Sequence, residues 1–214
     1  MKKDARYDVS GLVEAQFEPG SDERVLRNRL GIKSPMEMDV AETRALETAM
    51  VEFVSKFNEK HCFVAADIRE IHRRWLGGIY DWAGEYRRVN VSKGEFPFAA
   101  AARVPDLMTE FETDVLSRLT PCNFKDRAAI ARALAETHVE LVLIHPFREG
   151  NGRAARVLSI LMALQAGLPL LDFSSIAEEK KQDYFAAVQA GLDRSYALME
   201  WLFAEIIERS LASM

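Results

Sequence analysis

The feature that most constrains the fold is a short loop, with one proline and two glycines, between two strongly apolar segments. Residues 127–144 and 153–166 carry apolar side chains at helical spacing, and the second segment is apolar enough to predict a buried helix. Pro146 removes a backbone donor and restricts the residue before it, so the first helix must end there. Gly150 and Gly152 then let the backbone turn tightly into the second helix. The centre of the chain is therefore predicted to be a helix–loop–helix.

Helix signals on the rest of the chain predict the same fold class. Residues 34–37 combine a helix N-cap, a proline at the first helical position and a capping-box glutamate, and residues 175–178 are a second capping box. Further helices are predicted over about 34–60, 65–77, 104–119, 175–190 and 194–212. Because no repeat, low-complexity tract or linker divides them, we predict an irregular N-terminal arm over 1–33 and a single all-α domain over 34–214.

The segment that follows the helix predicted over 65–77 has a different pattern. Val89 and Val91 alternate with polar residues, a Lys-Gly pair supplies a turn, and Phe96 and Phe98 alternate again. This pattern is typical of a β-hairpin over about 89–98. The hairpin is either a connector or an edge that packs on the domain, since an isolated hairpin is only marginally stable. An exposed edge can recruit an extended segment of a partner protein by strand addition.

The charge balance and the length of the apolar stretches exclude some classes of protein. The 33 acidic and 28 basic side chains give a net charge of −5, whereas a sequence-independent nucleic-acid binder normally carries a basic face. The longest apolar stretch, around 157–164, is far too short to span a bilayer. The N-terminal residues lack the apolar segment of a signal peptide, and Cys62 and Cys122 are no disulfide framework. We therefore expect a cytoplasmic protein that binds neither nucleic acid nor membrane.

The polar residues of the central loop, from His145 to Arg156, allow three interpretations. The first is structural, with the histidine and the arginines satisfying backbone carbonyl groups at a helix–helix corner. The second is a metal centre with His145 and Glu149 as ligands, but zinc needs three or four ligands and no further His/Cys cluster of suitable spacing is near. The third is nucleotide chemistry, which uses every polar residue of the loop.

In the nucleotide interpretation each polar group has a chemical task. A glycine-containing turn at a helix N-terminus presents unpaired N–H groups to a diphosphate. Arg153 and Arg156 lie three residues apart, share one helix face and can each bind phosphate oxygens. Glu149 suits Mg²⁺, which takes one or two carboxylates together with phosphate oxygens and water. His145 can remove a proton from an attacking hydroxyl. These tasks favour nucleotidyl or phosphoryl transfer.

The loop resembles the signature of the Fic family, H-x-F-x-(D/E)-G-N-G-R-x-x-R, because its own sequence is H-P-F-R-E-G-N-G-R-A-A-R. The segments D-W-A-G-E-Y-R (81–87) and V-N-V-S-K-G-E-F-P-F (89–98) resemble the flap of that family, and L-R-N-R-L-G-I (26–32) is similar to the N-terminal arm of a bacterial toxin-like branch. The likeness covers about residues 25–200. It implies the Fic fold, a helical bundle around a central helix–loop–helix with one small β-hairpin flap. It also implies a protein adenylyltransferase, which uses Mg²⁺ to transfer AMP from ATP to a hydroxyl side chain of a target protein.

The resemblance gives a role to each matching residue. His145 corresponds to the general base that deprotonates the target hydroxyl, and Glu149 corresponds to the Mg²⁺ ligand. The implied ATP-binding residues are Gly150, Asn151 and Gly152 in the anion nest, Arg153 and Arg156 on the phosphates, and Tyr184 beside the nucleobase. Tyr184 is equally well interpreted as a half-buried helix aromatic. The flap that would align the target as an added strand consists of Ser92, Lys93, Gly94, Glu95, Phe96, Pro97 and Phe98.

Other functions stay open at this point. Some relatives transfer phosphate, another nucleotide or phosphocholine, although Gly150 and Gly152 both stand here as in the adenylylating majority. A non-catalytic module that docks proteins on the flap is a further alternative, but a pure scaffold has no need of His145 and Glu149 together. If the chain is the catalytic part of an effector, we expect secretion into a host cell instead of a cytoplasmic location.

The regulation implied by the resemblance depends on a missing motif. Many relatives carry an inhibitory helix with (S/T)-x-x-x-E-(G/N), whose glutamate pairs with the second arginine of the signature. The candidate glutamates here are Glu47, Glu59 and Glu178, which are followed by Thr, Lys and Glu, so none completes the motif. We therefore expect a separate small antitoxin protein to supply the inhibitory glutamate to Arg156.

Overall fold

The computed structural model describes residues 11–213 except 175, 177 and 178. These residues are mostly helical and contain one two-stranded hairpin, which confirms the predicted all-α class. The helices are α1 (Pro35–Lys56), α2 (Ala65–Leu76), α3 (Val104–Phe111), α4 (Ser117–Leu119), α5 (Arg127–Ile144), α6 (Asn151–Gln165), α7 (Lys181–Ala190) and α8 (Ala197–Ala212). The strands are β1 (Ser92–Lys93) and β2 (Phe96–Pro97). Among the described helices, none combines the length and the apolar character that a bilayer span requires.

Helices α5 and α6 form the centre of the molecule, as the sequence predicts. α5 covers the predicted residues, and it starts where the carboxylate of Asp126 accepts the Ala129 N–H at 2.8 Å. It packs mainly against α6 and α8, and it is buried on most of its faces. α6 begins at Asn151, before the predicted residue 153, with Gly150 in the left-handed conformation as its N-cap. The buried apolar side chains of these helices belong to one hydrophobic cluster.

The end of α1 differs from the prediction. The helix stops at Lys56, whereas apolar spacing alone predicts that it continues to about residue 60. Asn58 Oδ1 accepts the Lys60 N–H at 2.9 Å, which stabilises a turn that competes with helix. The N-terminal end agrees with the prediction, because Ser34 accepts the Glu37 N–H at 3.5 Å.

The C-terminal helices also start later than predicted. The helix predicted over 175–190 is interrupted at residues 179 and 180, so the continuous helix α7 begins at Lys181. Most of the predicted capping box over 175–178 lies outside the described residues. α8 begins at Ala197 and not at 194, because Arg194 has a φ of 54° and a left-handed residue cannot belong to the helix.

A π-helical turn interrupts the helix predicted over 104–119. It covers Glu112–Leu116 and connects α3 to α4. Glu112 Oε2 accepts the Ala65 N–H at 2.7 Å, so this turn also satisfies a donor in the first turn of α2.

The hairpin is short and antiparallel. Ser92 pairs with Pro97 and Lys93 pairs with Phe96, and the Phe98 N–H donates to the Val91 carbonyl oxygen at 3.2 Å. Gly94 makes the turn at a φ of 60°, a conformation that glycine adopts without strain. The regular strands are therefore shorter than the span of 89–98 that alternation predicts.

The described part of the N-terminal arm is irregular but tied to the domain. It contains a 3-10 turn at Val13–Ala15 and an isolated bridge between Phe17 and Leu26. The Arg29 side chain bonds to Asp81 at 2.6 Å and to the Gly77 carbonyl oxygen at 2.7 Å, both in the segment that follows α2.

Candidate active site

His145 lies at the C-terminal end of α5, where the helix stops in a left-handed residue. Its φ of 52° and ψ of 59° turn the chain out of the helix just before Pro146. Its Nδ1 lies 3.1 Å from the carbonyl oxygen of Val142. Because a carbonyl oxygen only accepts hydrogen bonds, Nδ1 carries the proton and Nε2 keeps a free lone pair. His145 is therefore held in the tautomer that a general base needs.

The flap covers the imidazole ring of this histidine. Phe98 stacks on the ring with 3.6 Å between the ring centroids and 16° between the planes. Burial is the main cause that lowers the pKa of His145 from 6.5 to about 4, and the charges of Arg87 and Lys93 lower it further. The ring is consequently neutral at pH 7.

Arg87 joins the flap to the end of α5. The residue is 1% exposed, and its guanidinium donates to four backbone carbonyl oxygens. Two of these belong to Val89 and Ala99, on either side of the hairpin, and two belong to Ile144 and His145. The position of the flap is thus fixed relative to the histidine that it covers.

The loop between α5 and α6 is held by His72 and by one of its own side chains. The Gly84 N–H donates to Nδ1 of His72 at 2.8 Å, so Nε2 carries the proton and donates to the Glu149 carbonyl oxygen at 3.0 Å. The His72 ring stacks on Phe147, with centroids 3.8 Å apart. Asn151 accepts from the Phe147 N–H at 2.8 Å and donates to the Phe147 carbonyl oxygen at 2.9 Å. Since the amide of Asn151 is used within the loop, its backbone N–H is the group left for a ligand.

The N-terminus of α6 offers unpaired backbone donors. Its N-cap is Gly150, so no side chain of the cap satisfies the first N–H groups of the helix. Gly150 has a φ of 80°, and a Cβ atom there would lie 2.9 Å from Cζ3 of Trp75. Gly152 has no atom within 4 Å of the corresponding position. The two glycines therefore differ: the contact with Trp75 requires a glycine at position 150, whereas no contact within the protein requires one at position 152.

A cavity of about 730 Å³ lies between the flap, the loop and α7. The loop and α6 contribute His145, Glu149, Asn151, Gly152 and Arg156 to its lining, and α7 contributes Tyr184, Phe185, Val188 and Gln189. The flap contributes Ser92, Lys93, Gly94, Phe96 and Phe98. Of the predicted site residues, Gly150, Arg153, Glu95 and Pro97 are not part of this lining.

Arg156 and Arg153 have different surroundings, although both were predicted on one helix face. Arg156 lines the cavity, and its Nε is buried without a hydrogen-bond partner in the described part of the chain. Arg153 lies outside the cavity lining and forms an ion pair with Glu42 of α1. A separation of three residues rotates the two side chains by about 60° around the helix, which is enough to send them to different neighbours.

Glu149 has the properties of a ligand for a hard cation. Its side chain is 47% exposed, and Oε1 accepts the Gly150 N–H at 2.9 Å. In the described residues, no group of three His, Cys, Asp or Glu side chains is arranged to hold a metal ion. One carboxylate beside a phosphate site nevertheless fits Mg²⁺, which takes most of its ligands from phosphate and water.

Tyr184 is fixed by a buried histidine behind the cavity. Its hydroxyl lies 2.9 Å from Nε2 of His138, whose Nδ1 lies 3.1 Å from Ser159 Oγ. Burial lowers the pKa of His138 to about 3 and raises the pKa of Tyr184 to about 12. The tyrosine is therefore neutral and held in place as a wall of the cavity.

Sequence reasoning missed Arg87 and Glu42, which both act on the site through their contacts. Nothing in the sequence around Arg87 distinguishes a buried arginine from a surface one. Glu42 did leave a signal, because it is four residues after Met38 and therefore lies on the buried face of α1. A charged residue on an apolar helix face needs a partner, and here the partner is Arg153.

The chain is similar to several known proteins. Residues 62–163 match the Fic/DOC family. Probable protein adenylyltransferase Fic of Escherichia coli (strain K12) is 29% identical over 199 residues, which are 90% of this chain and 91% of that protein. The protein of the same name from Salmonella typhimurium is 30% identical over 191 residues, 86% of this chain and 90% of its own length. The N-terminal Fic domain of a VirB-translocated Bep effector protein from Bartonella quintana, solved with bound ADP, has a TM-score of 0.69 at 25% identity, covering 89% of this chain and 92% of that domain.

Proposed function

The chain belongs to the Fic/DOC family, and we propose that it is a protein adenylyltransferase that transfers AMP from ATP to a hydroxyl side chain of a target protein. The relatives from Escherichia coli and Salmonella typhimurium carry this activity in their names. The observation that carries the proposal is the position of His145, a neutral residue with a free Nε2, which lines the same cavity as Arg156 and the N-terminus of α6. A base beside anion-binding groups is the arrangement that attack of a hydroxyl on a phosphate requires.

The proposed reaction uses His145 as the general base. Nε2 takes the proton of the target hydroxyl while the hydroxyl oxygen forms a bond to the α-phosphorus of ATP. The bond from that phosphorus to the diphosphate oxygen breaks, and diphosphate leaves. General base catalysis of this kind contributes ~10²–10⁴-fold. The anionic phosphates would raise the pKa of His145 from about 4 toward a value better suited to a base.

The proposed nucleotide site extends from the loop to α7. The unpaired N–H groups of Asn151 and Gly152 would bind the phosphates, and Arg156 would bind the terminal one. The Gly150 N–H, which donates to Glu149 Oε1 in the structure, would join them once that carboxylate turns to Mg²⁺. Tyr184 would pack against the nucleobase from α7. The ADP bound to the Bartonella quintana domain supports a nucleotide in this fold, and ATP is our assignment for this chain.

The carboxylate of Glu149 would hold Mg²⁺ at the edge of the phosphate site. Mg²⁺ supplies charge neutralisation and orientation of the phosphates when it is bound. The exposure of the Glu149 side chain, 47%, leaves its carboxylate accessible to such an ion.

The flap, Ser92 to Phe98, would dock the target. Lys93 Nζ lies 4.2 Å over the Phe185 ring of α7, so the flap reaches across the cavity from one wall to the other. Its strands pair only with each other in the described residues, which leaves an edge for strand addition by an extended target segment. A target held there would present its hydroxyl beside His145. We also propose that the protein acts in the cytoplasm, where ATP is present and the free thiols of Cys62 and Cys122 would stay reduced.

The test is incubation of the purified chain with Mg²⁺, a cell lysate and ATP labelled on the α-phosphate. We expect labelled protein bands that fall by at least about 10²-fold in the His145→Ala variant. Retained nucleotide binding and an unchanged Tm in that variant would show that chemistry and not folding is lost. A label that enters from the γ-phosphate and not from the α-phosphate would replace the proposal with a kinase. Equal labelling by wild type and His145→Ala would overturn the role of the histidine.

We further infer that a separate antitoxin protein inhibits the enzyme by pairing a glutamate with Arg156. This inference is supported by Arg156 itself, whose buried Nε has no hydrogen-bond partner in the described residues. Glu47 and Glu59 are exposed, and Glu178 lies outside the described residues. Activity of the purified chain that rises on Glu47→Ala or Glu178→Ala would contradict the inference, because inhibition would then be internal.

A further inference from the structure

Glu42 is a buried carboxylate on α1 that no catalytic role explains. The residue is 3% exposed. Its Oε1 accepts the hydroxyl of Tyr80 at 2.7 Å, and its backbone carbonyl oxygen accepts Nε1 of Trp75 at 2.8 Å. Its Oε2 is bonded to Nη2 of Arg153. An ionised carboxylate at this depth is costly unless a cation neutralises it, and Arg153 is that cation.

Arg153 has several charged and aromatic neighbours on this side of α6. Besides Glu42, its guanidinium lies 3.7 Å from Asp39 and 3.9 Å from Glu149. It also lies 4.9 Å from the centroid of the Trp75 ring, within cation–π distance. Three carboxylates and an aromatic face surround one charge, so little of the charge is left for a ligand.

The cavity holds the other arginine of the signature. Arg156 lines it, and the buried Nε of Arg156 has no hydrogen-bond partner in the described residues, whereas Arg153 is not part of the lining. If Arg153 turned toward a phosphate, the buried Glu42 carboxylate would keep only the Tyr80 hydroxyl as a partner among the described residues. The cost of leaving Glu42 unpaired therefore favours an Arg153 that stays paired with Glu42, and it leaves Arg156 as the arginine available to a phosphate.

We propose that Arg153 is a positioning residue that Glu42 holds against α1, and that Arg156 is the arginine that binds phosphate. This inference rests on the proposed nucleotide site, and it departs from the role that the family resemblance implies for Arg153. The Glu42–Arg153 pair fastens the first turn of α6 to α1, and the Arg153 guanidinium that it holds lies 3.9 Å from the Glu149 carboxylate and attracts it.

The first test measures how binding depends on the number of phosphates. Affinities for AMP, ADP and ATP are measured by titration calorimetry for wild type, Arg153→Gln and Arg156→Gln. We expect Arg156→Gln to lose about tenfold or more affinity for ATP while AMP binding changes little. Arg153→Gln should change the affinities for all three nucleotides by a similar factor. A loss in Arg153→Gln that grows with the number of phosphates, as in Arg156→Gln, would overturn the proposal.

The second test does not need a nucleotide. Urea unfolding of Glu42→Gln, Arg153→Gln and the double variant forms a double-mutant cycle, with Glu47→Gln on the exposed face of α1 as the matched control. We expect the effects of Glu42→Gln and Arg153→Gln on the unfolding equilibrium constant to depart from additivity by about tenfold. The Glu47→Gln and Arg153→Gln effects should be additive. If Glu42→Gln does not fold, Glu42→Asp replaces it in the cycle with Arg153→Gln, and additive effects in either cycle refute the pairing.

The two tests separate this inference from the proposed function. Wild type that binds none of the three nucleotides would refute the proposed function and, with it, the phosphate-binding role of Arg156. The unfolding cycle would then still decide whether Glu42 holds Arg153.

Discussion

Arg87 is the residue that couples the flap to His145, and all four of its side-chain hydrogen-bond partners are carbonyl oxygens. Two of these partners, Ile144 and His145, end α5, where the helix dipole favours a positive charge. Burial lowers the pKa of Arg87, but an arginine remains charged in proteins. A planar group with several donors is the side chain that can serve four acceptors in different directions.

Replacement of Arg87 by lysine should separate target modification from nucleotide binding. Lysine donates three hydrogen bonds from one atom, so it cannot reach all four carbonyl oxygens, and the flap would shift relative to His145. We expect the rate of target labelling to fall about 10- to 100-fold, with ATP affinity nearly unchanged. Initial rates of labelling and calorimetric ATP titrations measure the two quantities.

The neighbouring arginine provides the matched control. Arg88 is exposed, and its side chain lies 3.6 Å from Glu14. Arg88→Lys keeps the charge and should leave the labelling rate and the Tm as in wild type. Equal rates for Arg87→Lys and wild type would show that the flap needs no such clamp.

At the level of elements, the start of α6 depends on a close approach between the loop and α2. Gly150 caps α6 at a positive φ of 80°, and its Cα faces the ring of Trp75. The backbone can adopt this path only without a side chain, because the ring leaves no room for a Cβ atom. The loop is thereby pressed against α2, the same helix whose His72 holds the Glu149 carbonyl group.

A pair of glycine-to-alanine variants tests this contact. Gly150→Ala introduces left-handed strain and a 2.9 Å contact with Trp75, and it should lower the free energy of unfolding by roughly 3 kcal/mol. Gly152→Ala meets no atom within 4 Å and lies inside α6, so it should stabilise the protein by at most about 1 kcal/mol. Urea denaturation of both variants provides the measurement. A Gly150→Ala variant as stable as Gly152→Ala would contradict the contact.

For the whole molecule, the buried histidines His72 and His138 and the half-buried His145 make stability depend on pH. Burial is the main cause that lowers the pKa of His72 to about 4, of His138 to about 3 and of His145 to about 4. In the unfolded chain their pKa is near the ordinary value of 6.5. Between these values the unfolded state binds more protons than the folded state, so the stability rises with pH in this window. The contribution of the neutral histidines to the free energy of unfolding is fully present above about pH 6.5 and is lost as the pH falls toward 4.

Unfolding measured at pH 7 and pH 5 checks this dependence. Each histidine should contribute up to about 1.4 kcal/mol per pH unit below pH 6.5 to the loss of unfolding free energy. The His145→Ala variant should show a smaller loss, because it lacks one of the three groups. Histidine ring signals in NMR spectra should show His72, His138 and His145 neutral in the folded protein at pH 5.5. Unfolding free energies that agree at pH 7 and pH 5 would contradict the prediction.

Helix boundaries are predicted correctly where a capping residue or a proline marks them in the sequence. α5 has an N-cap aspartate at its start and a proline just after its end, and its predicted and observed spans agree. The end of α1 and the starts of α7 and α8 were predicted less well. At these places the boundary depends on a side-chain turn at Asn58 or on a left-handed residue such as Arg194, which apolar spacing does not report.

The sequence by itself determined the all-α class, the central helix–loop–helix, the hairpin and the family, because these depend on local spacing and on a contiguous motif. The tertiary structure decided which groups share the cavity. It brought the flap over His145 through Arg87, and it turned Arg153 away from Arg156 toward Glu42. These contacts join residues far apart in the chain, and their energies depend on burial and on the partner that each charge finds. A motif states which side chains are present, whereas packing decides which of them remain free to bind a ligand.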